Sequence, residues 1–541
     1  MMRPDPDVAL DLHDIQGNII KAYNREEYVT ARYVLYEVKD GAAGRAFLGK
    51  LLPYVTTAAP WSRESETRDA NPKPDVTLNI GFTFEGLEAM ELPSASLLTF
   101  PEEFVSGMLA RREILGDDGK SAPEHWDPVW RKAIHMLVFL NGPGRPHEAV
   151  LAEHYDKLAA LAAEFEPSVV CLDGHRGADG TSLAYQGASA LYDKNGGITS
   201  KEHFGYSDGI SNPFFKGTGA NPNNVVGGGK VTRESSDTVE GWEPLETGEF
   251  LLGYKDEAYE YPEAPKPPLL GRNGTYMVFR KLHENVGSFE DYLEEAGREF
   301  DGGKEALAAK FVGRWRNGAP LATFPTAEAA DGVAKRWNDA YIRLEKAKAG
   351  SDEAELRAAS EQYAAVRREL VAFDYDKDLA GGRCPVGAHV RRVNPRGSLE
   401  FGRTGAFATR GALTNRRRIL RRGLPYGATP EPKSDGGEHG NIVMMMGASI
   451  RRQFEFVQQQ WINYGNDFKL GNDKDPLLGN HSDGPDSIDG RMTIESEPGS
   501  HKAPFLCSGI PRFVETRGGG YFFIPSMTAL RMISDAIVDP T

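Results

Sequence analysis

The stretch AIHMLVFLNGPGRPHEAVLAEHYDKLAALAAEFEPSVVCLDG, Ala133–Gly174, decides the fold. Ala133–Leu140 is a β-rich apolar run that predicts a strand, His147–Phe165 repeats apolar residues at helical spacing, and Pro167–Gly174 returns to strand character. Upstream, ARYVLYEV (Ala31–Val38) predicts a strand and the residues after it, to Leu52, are helix-compatible. DVTLNIGFTF (Asp75–Phe84) predicts another strand, followed by a short helix over EGLEAMEL. Strand, helix, strand, strand, helix, strand is the ferredoxin-like order, with a long insertion between the second and third strands.

The second half repeats this texture. TYMVFRKL (Thr275–Leu282), NIVMMMGAS (Asn441–Ser449) and GGYFFIPS (Gly519–Ser526) predict strands; Val286–Phe300 and Ile450–Trp461 predict helices. The fold class expected is therefore α+β, two ferredoxin-like domains with antiparallel sheets and peripheral helices, 1–220 and 221–541. The Gly- and Asn-rich segment Gly217–Lys230 is the expected linker. Ala327–Leu370, rich in Ala, Glu, Lys and Arg around Gly350-Ser351, predicts a solvated helical hairpin inserted in the second domain.

A chain of 541 residues exceeds what one core usually supports. Its net charge of −15 argues against nucleic acid as a partner. No apolar stretch approaches the length of a membrane span. The three cysteines, Cys171, Cys384 and Cys507, are far apart and form no CxxC or CxxCH, which points to a reducing compartment and excludes c-type haem attachment. The start lacks the basic and apolar regions of a signal peptide, so a cytoplasmic location is expected.

Three segments carry candidate chemistry. HFGYSDGISNP (His203–Pro213) places Asp208 between Gly205 and Gly209 in a turn that aromatic residues flank. CPVGAHVRRVNPRG (Cys384–Gly397) sets His389 beside Arg391, Arg392 and Arg396; a neutral imidazole there could bind a metal, and the arginines could hold anionic groups. NRRRILRRGLPYG (Asn415–Gly427) packs five arginines around Ile419-Leu420, a basic run that should face something negative.

Together these segments resemble the dye-decolourising peroxidases. GYSDG (Gly205–Gly209) matches their GxxDG motif, HVRRVNPR resembles their haem-ligand segment and RILRRGLPYG their distal-arginine segment. DIQGNIIKAY, FEFVQQQWIN, DPLLG and RGGGYFFIPS follow in the expected order along the whole chain, and the long form looks most like the large bacterial members. The resemblance implies a haem peroxidase that reduces hydrogen peroxide and oxidises dyes, phenolic compounds and, as a further candidate, Mn(II). It implies non-covalent haem b between the sheet and helices of the second domain, with His389 as axial ligand to the iron. Asp475 is the candidate carboxylate behind His389, with Asp467 and Asp473 as alternatives. Asp208 and Arg421 would be catalytic, assisting heterolysis of the peroxide O–O bond, and Gly423 stands where some bacterial relatives carry an asparagine. Gly209, Ile210, Asn212, Arg391, Arg396, Phe454 and Gln459 are the further haem-contact candidates. Met444 and Met446 are expected on one side of their strand, and Tyr426 and Trp461 are candidate exit points for electrons to bulky dyes. The alternative reading is a haem-handling protein with incidental peroxidase activity. The partners expected are peroxide and small aromatic or dye reductants, with no nucleic acid and no membrane, in a monomer or dimer.

Overall fold

Strand β1, Thr30–Val38, is buried along nearly its whole length, as its run of aromatic and branched residues demands. It is followed by α1 (Gly41–Leu51), capped by the Asp40 carboxylate on the Ala43 N–H, and by β2 (Thr77–Phe82). Strand β3 (Met136–Gly142), α2 (Ala149–Ala163) and β4 (Val169–Cys171) complete the first half in the order read from sequence. Short β5 (Gln186–Ser189) adds to β1 beside Thr30–Tyr33. The computed structural model describes residues 9–62, 71–219, 222–232, 238–399, 411–482, 490–497 and 499–538.

The second half is built from β6 (Thr275–Glu284), α3 (Val286–Ala296), β7 (Leu420–Tyr426), β8 (Gly440–Gly447) and β9 (Val514–Ile524). Helical turns of π character, Ile450–Glu455 and Val457–Ile462, link β8 to the chain leading to β9. The spatial orders are β4-β1-β3-β2 and β9-β6-β8-β7. Numbered within each half, both read 4-1-3-2 with antiparallel neighbours, so both halves are ferredoxin-like.

The halves share one sheet. Phe523 of β9 pairs with Phe82 of β2, and at the far end β7 lies alongside β5, so the sheet curls into a barrel. Tyr33, Phe139, Phe279 and Trp130 stack in its interior. On the outer face of the second half, Phe104 packs on Tyr276 and Phe454 on Tyr521. The segment expected as a linker is built into the fold: the Phe214 N–H donates to the Gly228 carbonyl, and Lys230–Val231 pairs with Trp242–Glu243. The helical hairpin is present as α4 (Ala327–Ala349) and α5 (Glu353–Val371). Strand β7 was not expected, because five arginines mask it.

Candidate active site

His389 opens a short helix, α6 (His389–Val393). Arg392 locks this helix by donating to the carbonyls of Gly387, Trp461, Tyr464 and Asp473 at 2.8–3.0 Å. The His389 Nδ1 lies 2.9 Å from Asp475 Oδ2. Asp475 is fully buried, and its other oxygen accepts the N–H groups of Leu477 (2.8 Å) and Leu478 (2.9 Å). Withdrawal from water pushes this carboxyl up, but His389, Arg392 and the Leu478 N–H together outweigh it and hold the group below its ordinary value. An ionised Asp475 makes Nδ1 the donor and leaves Nε2 with a free lone pair, the tautomer a metal requires. The two alternatives are engaged elsewhere: Asp467 accepts Trp461 Nε1 at 2.9 Å, and Asp473 Oδ2 accepts the Thr493 hydroxyl at 3.3 Å.

Arg421 stands on β7, directly across from Met445 of β8. Its N–H donates to Asn212 Oδ1 (3.1 Å), its Nη2 to the Ile210 carbonyl (3.2 Å), and its Nη1 lies 3.6 Å from Asp208 Oδ1. Strand and turn are thus held together by two hydrogen bonds that flank the Asp208–Arg421 pair. Gly209 takes φ +75°, and a side chain built there would meet nothing within 4 Å. Its glycine therefore answers to the left-handed turn, and its carbonyl is clamped by Arg25 at 2.8 Å. The Asp208 side chain is 65 % exposed and that of Arg421 41 %, so both are open to a small solute. Such an ion pair contributes little to stability, which leaves both groups available for chemistry.

An apolar cluster joins the two centres: Val386, Val393, Phe456, Val457 and Trp461 around α6 meet Ile419 at the threshold of β7. Beside it lie Arg314, Arg396 and Arg418, all buried, with no ion pair among the described residues. Their donors go to backbone carbonyls: Arg314 to Gly318, Arg396 to Val371 and Phe373, Arg418 to Gly228 and Gly229. Burial first, and then the charges of Arg396 and Arg421, depress Arg418 to about 9; burial depresses Arg314 to about 10. Neither Arg314 nor Arg418 was singled out in the sequence; Arg418 was hidden within the basic run, and nothing in GRWRNG marks Arg314.

Several expected contacts are placed elsewhere. Arg391 is fully buried, donating to the carbonyls of Cys384 and Asp378, pairing with the Asp378 carboxylate at 3.5 Å and stacking on Tyr375. Arg396 lies 4.0 Å over the Phe373 ring, and its backbone takes φ +51°. Phe454 belongs to the outer-face core beside Tyr521 and Arg280, and Gln459 lines a separate cleft with Arg112, Asn463 and Asn480. The basic run does not face one anion. Arg416 pairs with Asp256, Arg417 covers Phe456, and Arg422 donates to the carbonyls of Asn18 and Ile19. Met444 and Met446 share one side, in the buried core, while Met445 is on the side of Arg421. Tyr426 and Trp461 are buried, so neither presents a ring to a dye in solvent. A Cβ at Gly423 would sit 2.0 Å from the Ile442 carbonyl, which leaves no room for an asparagine there.

Residues 14–175 match the model of the DyP dimeric alpha+beta barrel domain, and here the barrel is closed by the two halves of one chain. A dye-decolorizing peroxidase of the fungus Mycena epipterygia is 27 % identical over 98 % of this chain and 88 % of its own. The multifunctional dye peroxidase DyP2 of the bacterium Amycolatopsis sp. is also 27 % identical, over 97 % of both chains. The fungal and bacterial relatives thus stand equally near. Among solved structures, an ancestral D-type dye decolorizing peroxidase superposes with a TM-score of 0.67 at 26 % identity, over 97 % of this chain and 99 % of that one. Barrel, motif order and similarity converge: from end to end the chain resembles the dye-decolourising peroxidases.

Proposed function

We propose that Asp208 and Arg421 perform the acid–base and charge-stabilising work of this haem peroxidase, with His389 holding the iron. The observation that carries this reading is the His389–Asp475 hydrogen bond, which presents an imidazole Nε2 as ligand from a buried anchor. The residues fit the cofactor. One imidazole is in the metal-binding tautomer, and the neighbouring buried guanidiniums of Arg314 and Arg418 have no carboxylate partner among the described residues, as suits a group bearing two carboxylates. Without a CxxCH segment the group is haem b, held non-covalently. When bound, it supplies the redox-active iron at which peroxide is reduced.

The protein supplies the rest. The Asp208 carboxylate takes a proton from one oxygen of hydrogen peroxide and returns it to the other, which leaves as water once the O–O bond breaks. Arg421, 3.6 Å away, offsets the negative charge that develops as the first proton leaves. Asp475 keeps the His389 imidazole oriented and raises its basicity. Dyes and phenolic compounds are the reductants, with Mn(II) a further candidate. The free cysteines are consistent with a cytoplasmic enzyme, and no helix among the described residues is long and apolar enough to cross a membrane.

Stopped-flow mixing of the haem-loaded protein with peroxide tests the assignment. Asp208→Asn keeps the size of the side chain and removes its basicity, so the bimolecular rate should fall by about 10²–10⁴-fold. An unchanged rate in this variant would remove Asp208 from the mechanism.

A further inference from the structure

The turn that carries Asp208 is wrapped around another acid. Glu202 accepts the Phe204 N–H on Oε2 at 2.7 Å and the Tyr206 N–H on Oε1 at 2.6 Å, while its own carbonyl accepts the Gly205 N–H. One carboxylate thus shapes the backbone from Glu202 to Tyr206, two residues before Asp208. Its neighbour is the carboxyl of Glu284, at the end of β6 and in hydrogen-bonding contact with it. Glu284 Oε1 accepts from Asn441 Nδ2 and the His203 N–H lies against the carboxyl, but among the described residues no donor makes a well-formed hydrogen bond to the buried Oε2. Two acceptors cannot hydrogen-bond unless a proton lies between them.

We propose that Glu202 and Glu284 share one proton, and that this acid pair is the positioning element that orders the turn carrying Asp208. With the proton present, Glu284 donates to Glu202, whose remaining lone pairs hold the Phe204 and Tyr206 N–H groups. With it gone, two carboxylates confront each other inside the fold and the turn loosens. This rests on Asp208 being the acid–base residue of the reaction.

The surroundings favour keeping the proton. Asp208 on the same turn adds negative charge near Glu202, and Arg316 opposes it, donating to the Phe204 carbonyl while engaged with Glu290 and Glu305. His203 is fixed between Thr429 Oγ1 and the Tyr426 carbonyl, and burial depresses it to about 4, so it brings no charge near neutrality. His439 and His283 stack behind it, also depressed by burial, with Glu438 and Asp435 beyond. Withdrawal from water raises Glu202 to about 7 and pushes Glu284 well above the carboxylate range. A carboxyl raised on ordering favours the ordered turn at acid pH, an advantage lost between its free value near 4.5 and about 7.

Hydrogen exchange of the holoenzyme, followed by mass spectrometry over 203–208 and corrected for intrinsic rates, reads the turn directly. Protection should fall roughly a hundredfold between pH 5 and pH 8 in the wild type. In Glu284→Gln the amide donates to Glu202 at every pH, so the dependence should flatten to within about threefold, and the neutral limb of the peroxide-rate profile should rise. Glu202→Gln, a second variant should the first not fold, should exchange fast at all pH values. Flat exchange in the wild type, or the wild-type dependence retained in either variant, overturns the proposal. Asp208→Asn should keep the dependence in exchange whatever it does to the rate, which separates this inference from the role of Asp208.

Discussion

Asp475→Asn isolates what the carboxylate does for His389. The asparagine has the same shape but only one acceptor oxygen, and the site demands two. If that oxygen stays on the N–H groups of Leu477 and Leu478, now 2.8 and 2.9 Å away, the NH₂ turns to His389 Nδ1. Nδ1 must then accept, the ring proton moves to Nε2, and the imidazole is in the tautomer that cannot bind iron. Restoring the useful tautomer means flipping the amide, losing two backbone bonds of about 1 kcal/mol each and facing donor against donor, about 2–3 kcal/mol in all. At about 1.4 kcal/mol per decade, haem affinity should fall roughly 30- to 100-fold. Titration of haem into the apoprotein, followed in the Soret band, measures this. Asp475→Ala serves as the comparison. It imposes no tautomer, so it should bind haem more tightly than the asparagine variant, yet be the less stable protein because two buried N–H groups lose their acceptor. Wild-type affinity in Asp475→Asn, or the alanine variant binding more weakly than the asparagine one, would refute the reasoning.

Other perturbations probe the frame. Arg280 and Asp117 form a buried bidentate pair at 2.7 and 2.6 Å that ties β6 to the first half; Asp117→Asn strands the guanidinium and should cost about 3–5 kcal/mol, read as a lower urea midpoint. His175 is buried with both ring nitrogens unpartnered among the described residues, and burial, reinforced by Lys281 and Lys132, depresses it to about 3. It stays neutral in the fold while the unfolded chain protonates near 6.5, so stability is lost as pH falls from 6.5 towards 3, by up to about 5 kcal/mol. His175→Phe should shift the acid-unfolding midpoint to lower pH. Gly423→Ala drives a Cβ into the Ile442 carbonyl and should disrupt the β7–β8 ladder, costing on the order of 3 kcal/mol or more and lowering haem binding with it.

What could be read from the sequence, and what could not, follows from the range of the interactions. The β1–α1–β2 and β3–α2–β4 units announce themselves because the core face of each element repeats within its own residues. Strand β7 does not: LRRGLPY is rich in arginine, and its strand character depends on Asn212, Ile210 and the Asn18–Ile19 carbonyls, all distant in sequence, which receive those guanidiniums. Asp475 was a candidate through the resemblance of DPLLG to a family segment, with Asp467 and Asp473 left as alternatives; the turn whose Leu477 and Leu478 N–H groups fold back on its carboxylate is local chemistry. The directions of Arg391, on the five-residue α6, and of Arg396, in the turn after it, were not legible, because a guanidinium there goes wherever tertiary carbonyls await it. Glu202 gave no signal either, as its neighbour Glu284 lies on β6, distant in sequence. The same distinction governs the site as a whole. Asp208 follows the first ferredoxin-like half, whereas Arg421 sits on the edge strand of the second, and they meet where β7 closes against β5. Barrel closure is therefore part of the proposed catalytic arrangement: either half alone could form its own 4-1-3-2 sheet, yet neither would bring Asp208 and Arg421 together.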